Sequence, residues 1–437
     1  MSLPSAPRTG RTGGPSLVAG TELVGEFEGS GYREPPQLVC RPDGQLVRLP
    51  ALLYQLVRSL ERHTVEDRND EPVTERVAAD LSRETGRCFT ADHITFLIDR
   101  KLAPLGVTTR ADGSPPPPQT RSDPFLAFRF RLAVLPEHLT WFLSGLFAWL
   151  FRPVLVILGV CAFLAGETWL LTTQDTAAAL RSVFSSPALI LLVIGLAIAS
   201  CAFHELGHGA ACRYGGVRPG AMGCGIYLVW PAFYTDITNS YRLSRAGRIR
   251  ADLGGVYFNA LFAVGLLGCY ALTGFQPLLV AILSVNLEII QQLLPTLRFD
   301  GYYIVADLVG IPDLFKYIAP ILRRVLLRRR DEDGLLDALK RRPQLVVACW
   351  VLFLIPTLAL QLGLVAVNLP QLLQSDWRRA GVLLAHADGA VALAAAWLQI
   401  LLLALPLAGL ALALGRPGWL LLRAGWRRLR LRVSSRR

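Results

Sequence analysis

The chain has 437 residues, of which 52% are hydrophobic and only 18% charged, with a formal net charge of +12. A mean hydropathy of +0.41 argues against an ordinary soluble enzyme, since soluble domains carry about 25% charged residues, and it excludes disorder for most of the chain. The basic balance looks like a nucleic-acid signal only until the arginines are placed along the chain.

Residues 1–35 are rich in Gly, Ser and Pro and read as a flexible N-terminal segment. The stretch 1–20 has no apolar run of the kind a secretory signal needs, so the N-terminus is expected in the cytosol. The 8 cysteines include no CxxC pair, and most lie in apolar runs, which reads as small buried hydrophobes.

Residues 36–107 read as a small soluble domain. Asp43-Gly44 lies between two short β-rich runs and predicts a hairpin. Pro50 opens a helix with Leu52, Leu53, Leu56, Val57 and Leu60 on one face. A second helix carries Val73, Val77 and Leu81 and stops at Gly86; a third is capped by Thr90 and carries Ile94, Leu97 and Ile98. A hairpin with three short helices is a winged-helix-like α+β unit. No helix in it carries a basic stripe, so peptide docking at a strand edge is expected rather than DNA reading. Residues 108–124, with Pro115 to Pro118, read as a Pro-rich linker.

From residue 125 onward the composition is membrane-like. Residues 125–152 are apolar but interrupted by Arg129, Arg131 and Arg152, and read as an interfacial segment. Six stretches suit a bilayer that takes roughly 20 residues to cross: 153–172, 187–210, 253–273, 277–297, 344–366 and 389–415. The connections 212–252 and 298–343 and the basic tail 416–437 carry 6, 10 and 8 Lys and Arg, against 3 on the other side. That asymmetry places these connections and both termini in the cytoplasm of a multi-pass protein. The fold class expected is mainly α: a polytopic membrane protein of about six spans with the small N-terminal domain. The expected membrane is a bacterial plasma membrane, with the basic excess facing lipid headgroups and no nucleic-acid partner expected.

The second span runs into His204-Glu205-Leu206-Gly207-His208, an HExxH motif. On a helix the two His stand at i and i+4 and face one metal ion, while Glu205 can accept a proton from water beside it. A zinc ion with one open position needs a third protein ligand. Asp300, in Leu-Leu-Pro-Thr-Leu-Arg-Phe-Asp-Gly-Tyr-Tyr (293–303), is the best candidate, because the topology puts it at the same membrane edge as His208. Gly301 beside it suggests a sharp backbone turn. Asp236, Asp307 and Glu288 are rivals, with Glu288 better suited to an interhelical polar network with Asn286, Gln291 and Gln292. His63, His93, His138 and His386 show no ligand spacing.

HELGH at the end of one span and Phe-Asp-Gly after a later one resemble the site-2 protease family of intramembrane zinc metalloproteases. Leu294–Tyr303 and Pro-Ala-Phe-Tyr-Thr-Asp (231–236) resemble, more narrowly, bacterial peptide zinc metalloproteases; the resemblance covers about 187–310. It implies a membrane metalloprotease domain over 153–415, with His204, His208 and Asp300 as zinc ligands and Glu205 as general base. It also implies a role for Asn259, in Gly254-Gly255-Val256-Tyr257-Phe258-Asn259, at the substrate carbonyl or oxyanion, with an interhelical clamp as the alternative. Two departures stand out: Phe299 replaces a common Leu, and Gly255 stands where a Pro often follows Gly.

Residues 36–107 are similar to the PqqD-like peptide-recognition units of pathways that modify ribosomally made peptides. That resemblance implies leader-peptide docking and cleavage at the membrane, as in daptide-type maturation. Residues 221–234 are apolar and too short to span; they read as a hairpin whose edge holds an extended substrate, or as a loop anchored by Trp230 and Tyr234. The expected partners are a precursor peptide or membrane-protein substrate and the bilayer. Alternatives are release of a single-span regulator by the same site, a non-catalytic peptide-binding or immunity component, and a metal transporter.

Overall fold

A computed structural model describes residues 14–65, 71–119, 128–227, 230–326, 334–385 and 389–405, with the single residues 328, 387, 408 and 423. The expected basic tail 416–437 lies outside the described residues apart from Arg423, as do His386 and most of the sixth expected span beyond 405. The described chain is mainly helical and falls into two compact units. One gathers the chain up to Pro124 with Tyr241–Arg245 and Ala306–Val351; the other gathers Phe125–Ser240, Ala246–Val305 and the chain from Leu352.

In the first unit, β1 (Glu22–Glu26), β2 (Gln37–Cys40) and β3 (Leu46–Leu49) form an antiparallel sheet in that order. β2 and β3 pair from Gln37↔Leu49 to Cys40↔Leu46, closing over the expected Asp43-Gly44 turn. β1 falls inside the stretch whose composition reads as flexible. Its five residues show little periodicity, and the strand exists through its pairing with β2, which a local pattern does not display. Next come α1 (Ala51–Val65), α2 (Val73–Thr85) and α3 (Ala91–Leu97). Leu56, Val57 and Leu60 of α1, Val77 and Leu81 of α2 and Ile94 of α3 are buried in one core with Val39 and Leu49. α2 ends at Gly86, whose φ of 68° favours glycine. Thr90 caps α3 by accepting from His93 N, and His93 Nδ1 accepts from Thr90 N in return.

Two further segments join this unit. Thr109 N donates to Ser16 O at 2.9 Å and Ala111 N to Asp99 Oδ1 at 2.8 Å, so the first residues of the Pro-rich stretch are tied down. Residues 29–33 bind the segment after the candidate third ligand: Gly31 N donates to Gly310 O, Lys340 N to Gly31 O and Arg33 N to Ala338 O. Hydrophobic periodicity could not reveal this, because the partners are backbone groups some 280–310 residues apart in sequence.

In the second unit, β4 (Phe128–Leu135) and α4 (Glu137–Phe147) occupy the stretch expected to be interfacial. After them come α5 (Pro153–Thr173), α6 (Thr176–Phe184) and α7 (Pro187–Tyr214). The hairpin β5 (Met222–Tyr227) and β6 (Trp230–Thr235) then packs beside β4, giving a sheet in the order β4-β5-β6. α8 (Arg245–Asp252), α9 (Gly254–Thr273), α10 (Pro277–Leu293) and α11 (Asp300–Val309) follow. Of the later helices, α12 (Ile318–Leu326) belongs to the first unit, α13 (Arg341–Ala385) is divided between the two at Val351/Leu352, and α14 (Ala390–Leu405) lies in the second. α5, α7, α9 and α13 are long and apolar enough to cross a membrane by length and composition. α10 and α14 are apolar but shorter; the 17 residues of α10 span about 25 Å, under the roughly 30 Å of a hydrocarbon core. Leu170, Ala179, Ala263, Leu279, Ala281 and Ile282 bury the contact among α5, α6, α9 and α10.

Asp80 clamps α1 to α2 in the first unit. It accepts from Ser59 Oγ at 3.0 Å and pairs with His63 Nε2 at 2.7 Å and with Arg83. Burial alone would raise its carboxyl pKa, but the hydrogen bonds from His63 and Ser59 outweigh that and hold it below the usual carboxylate range. Its contribution is therefore present above an ordinary carboxylate pKa of about 3.9 and lost as pH falls towards the folded value. Asp80→Ala is expected to cost about 1–3 kcal/mol of local stability. Hydrogen exchange over residues 51–65 and 73–85 of the full chain should show faster opening at pH 7, with the difference from wild type shrinking below about pH 4. Equal exchange at pH 7 would contradict the clamp.

Candidate metal centre

α7 carries the HExxH motif in its last turns, well inside the helix, so both His side chains project from one face. Their Nε2 atoms lie 3.2 Å apart. Asp300 closes the triangle: Oδ2 is 3.1 Å from His204 Nε2 and Oδ1 is 3.4 Å from His208 Nε2. Three ligands held about 2.0–2.1 Å from a tetrahedral cation stand about 3.3 Å from one another, so these separations suit a metal ion. Asp300 Oδ2 is buried and has no hydrogen-bond partner among the described residues, which a cation would satisfy. Burial works against its charge, but the two imidazoles hold its carboxyl well below the usual range. Asp300 also opens α11, where the helix N-terminus favours a carboxylate.

The two histidines are held by different means. His208 Nδ1 lies 2.7 Å from Ala251 O, which fixes the ring and turns Nε2 towards the other ligands. His204 is held by packing. A Cβ on Gly255 would stand 2.4 Å from His204 Nε2 and 2.6 Å from Cδ2, so the glycine lies directly against the imidazole. One residue earlier, Gly254 meets Gly207 backbone to backbone: a Cβ on Gly207 would stand 2.2 Å from Gly254 O. The position where a Pro is common is therefore the point at which α9 leans on the first ligand.

Gly301 has a different task from the one its sequence suggested. Its φ is not positive, and no sharp turn depends on it. A Cβ there would stand 2.2 Å from Leu293 O, so the glycine lets α11 start hard against the end of α10.

The remaining expected residues divide. Glu205 is half-buried on α7 and adjoins His204 in the helical turn that separates the two histidines. Asn259 is fully buried; its Oδ1 accepts from Ser200 Oγ at 3.1 Å and its Nδ2 has no partner among the described residues. Asp236 accepts from Thr238 N and Oγ1 and is not part of the cluster. Glu288 faces Cys201 of α7, and Asn286 Nδ2 donates to Glu167 of α5 at 2.7 Å, so this group links helices. Among the described residues, His204, His208 and Asp300 are the group of such side chains placed to hold a metal ion.

The chain is 26% identical over 141 residues, 32% of its length, to "Putative peptide zinc metalloprotease protein YydH" of Bacillus subtilis (strain 168). The match spans 56% of that protein, so the chain covers about half the relative's length. No family model and no solved structure matches the chain.

Sequence reasoning missed two features here. Glu167 sits alone in an apolar run, and its pairing with Asn286 is visible only once α5 and α10 are packed. Thr235, in Pro-Ala-Phe-Tyr-Thr-Asp (231–236), donates from Oγ1 to Glu205 O at 2.9 Å. For the glycine contact, Gly255→Ala should displace the His204 ring and lower the metal content of the purified, folded protein by elemental analysis. Undiminished metal content would show that the contact does not position the ligand.

Proposed function

We propose that this chain is an intramembrane zinc endopeptidase of the site-2 protease type, cutting a precursor peptide or membrane-embedded substrate near the cytosolic face. The observation that carries the reading is the His204–His208–Asp300 triangle, its two imidazoles buried and its carboxylate half-buried, with Glu205 beside it. The likeness to a protein named as a peptide zinc metalloprotease supports zinc over other metals. Two His and one carboxylate form a ligand set known from zinc hydrolases that keep one position open.

When bound, zinc supplies Lewis acidity that makes water a competent nucleophile at neutral pH. The chain does the rest. His204, His208 and Asp300 hold the ion, Ala251 O fixes the His208 ring, and Gly255 backs the His204 ring. Glu205 takes the proton of the attacking water and returns it to the leaving amine. Asn259, oriented through Ser200, offers Nδ2 as the donor to the developing oxyanion. A helical amide is shielded by its own hydrogen bonds, so the substrate must be extended. The β6 edge of the sheet is the surface suited to hold it, since Thr235 ties that strand to the turn bearing Glu205.

The membrane reading rests on the exposed apolar surface. α5 presents Val154, Ile157, Leu158, Leu164 and Leu171 outward on one broad face of the helix, as a lipid-facing span does. Phe130, Leu132 and Val134 on alternate positions of β4 expose a second apolar face suited to the bilayer interface. We assign six spans, with α10 and α14 as the two short ones, and place both termini in the cytoplasm of a bacterial cell on the distribution of Lys and Arg. The N-terminal domain is assigned to leader-peptide docking at a strand edge, in ribosomal-peptide maturation.

Glu205→Gln is expected to retain zinc and lose cleavage. Mass spectrometry of peptides released by wild type but not by this variant would also identify the substrate. His204→Ala, His208→Ala and Asp300→Ala should each lower bound zinc, whereas Asn259→Ala should keep it and lose about 10²–10³-fold in kcat. Full turnover by Glu205→Gln would exclude the mechanism.

A further inference from the structure

The β5–β6 hairpin touches both chain segments that supply the proposed ligands, at opposite ends of its strands. At the end of β6, Thr235 is buried and donates from Oγ1 to Glu205 O at 2.9 Å. That carbonyl lies in the helical turn between His204 and His208. At the end of β5, the Tyr227 ring lies 5.7 Å from the Phe299 ring, tilted by 45°. The Tyr227 hydroxyl also forms a hydrogen bond with the Arg298 backbone. Arg298 and Phe299 are the two residues immediately before Asp300.

The two sides of the triangle differ in stiffness. His204 and His208 ride on a continuous 28-residue helix, which fixes their spacing. Asp300 follows the irregular stretch 294–299, where helical hydrogen bonds between α10 and α11 are interrupted. Outside a helix, each residue's backbone freedom is worth roughly 1–2 kcal/mol to restrain. Tyr227 restrains that stretch at its last two residues by ring packing and by a hydrogen bond.

We infer that the hairpin is a brace that sets Asp300 against the histidine pair, with Tyr227 and Thr235 as positioning residues for the metal centre. The inference rests on the reading of His204, His208 and Asp300 as ligands. Neither residue touches the ion or the substrate carbonyl; each acts through a ligand-bearing segment. Loss of partners that orient ligands typically costs 10–100-fold in metal affinity. Because one hairpin links both attachments, freeing either end should release the brace, and the two effects should not multiply.

The test is zinc affinity of the purified full-length protein in detergent, by competition with a chromophoric chelator. Tyr227→Phe keeps the ring and removes the hydroxyl; Thr235→Val keeps the branched shape and removes the donor. Each should weaken zinc binding about 10-fold, and the double variant by much less than the product of the two. Thr235→Ser, which keeps the hydroxyl, should restore wild-type affinity, which a loss of shape alone would not allow. Zinc affinity within twofold of wild type in both folded single variants would overturn the brace while leaving the metal centre intact. Wild-type protein that binds no zinc would overturn the metal reading and the brace together.

Discussion

The structure of the second unit depends on one close approach. α7 and α9 meet backbone to backbone at Gly207 and Gly254, where either Cβ would collide with the backbone of the other helix. This contact brings Gly255 against the His204 ring and sets the end of α8 so that Ala251 O reaches His208 Nδ1. Helices with larger residues at the crossing would stand about 8–10 Å apart, and neither histidine would have its present support. Phe258, one turn along α9, then packs between Phe151 and Phe203, which adds aromatic contact to the same crossing. The rigidity of the centre is thus set by packing that involves no metal.

The core of this arrangement was legible because its signal is local. HExxH needs only the i, i+4 periodicity of a helix to put two imidazoles on one face, and α7 supplies it. Asp300 was legible through its surrounding motif and its place along the chain, and the structure does bring it to the histidines. For residues 221–234 the sequence left a hairpin and an anchored loop open, and β5 and β6 form there as a hairpin. Leu56, Val57, Leu60, Val77, Leu81 and Ile94 were all legible as the core of the small N-terminal domain.

What was not legible depends on distant partners. β1 is a strand only because β2 accepts it, whereas the Phe-Arg-Phe-Arg alternation of 128–131 is a period-2 signal that reading 125–152 as an interfacial segment passed over. Asp80, Glu167 and Thr235 gain their meaning from Ser59 and His63, Asn286 and Glu205, each on another element. Gly301 was read as a turn and proved to be a contact, because a sequence shows a glycine without showing whether φ or space requires it. Phe299 looked like a mild departure from a family pattern, yet it is the residue against which Tyr227 packs.

The proposed zinc centre consists of three side chains, His204, His208 and Asp300, brought together beside a glycine crossing. X-ray absorption at the zinc edge of the purified full-length protein tests this most directly. The account predicts zinc bound to two imidazole nitrogens and light oxygen atoms at about 2.0–2.2 Å, with the imidazole signal lost in His204→Ala/His208→Ala. A first shell containing sulfur at about 2.3 Å, or a zinc shell unchanged in that double variant, would contradict it.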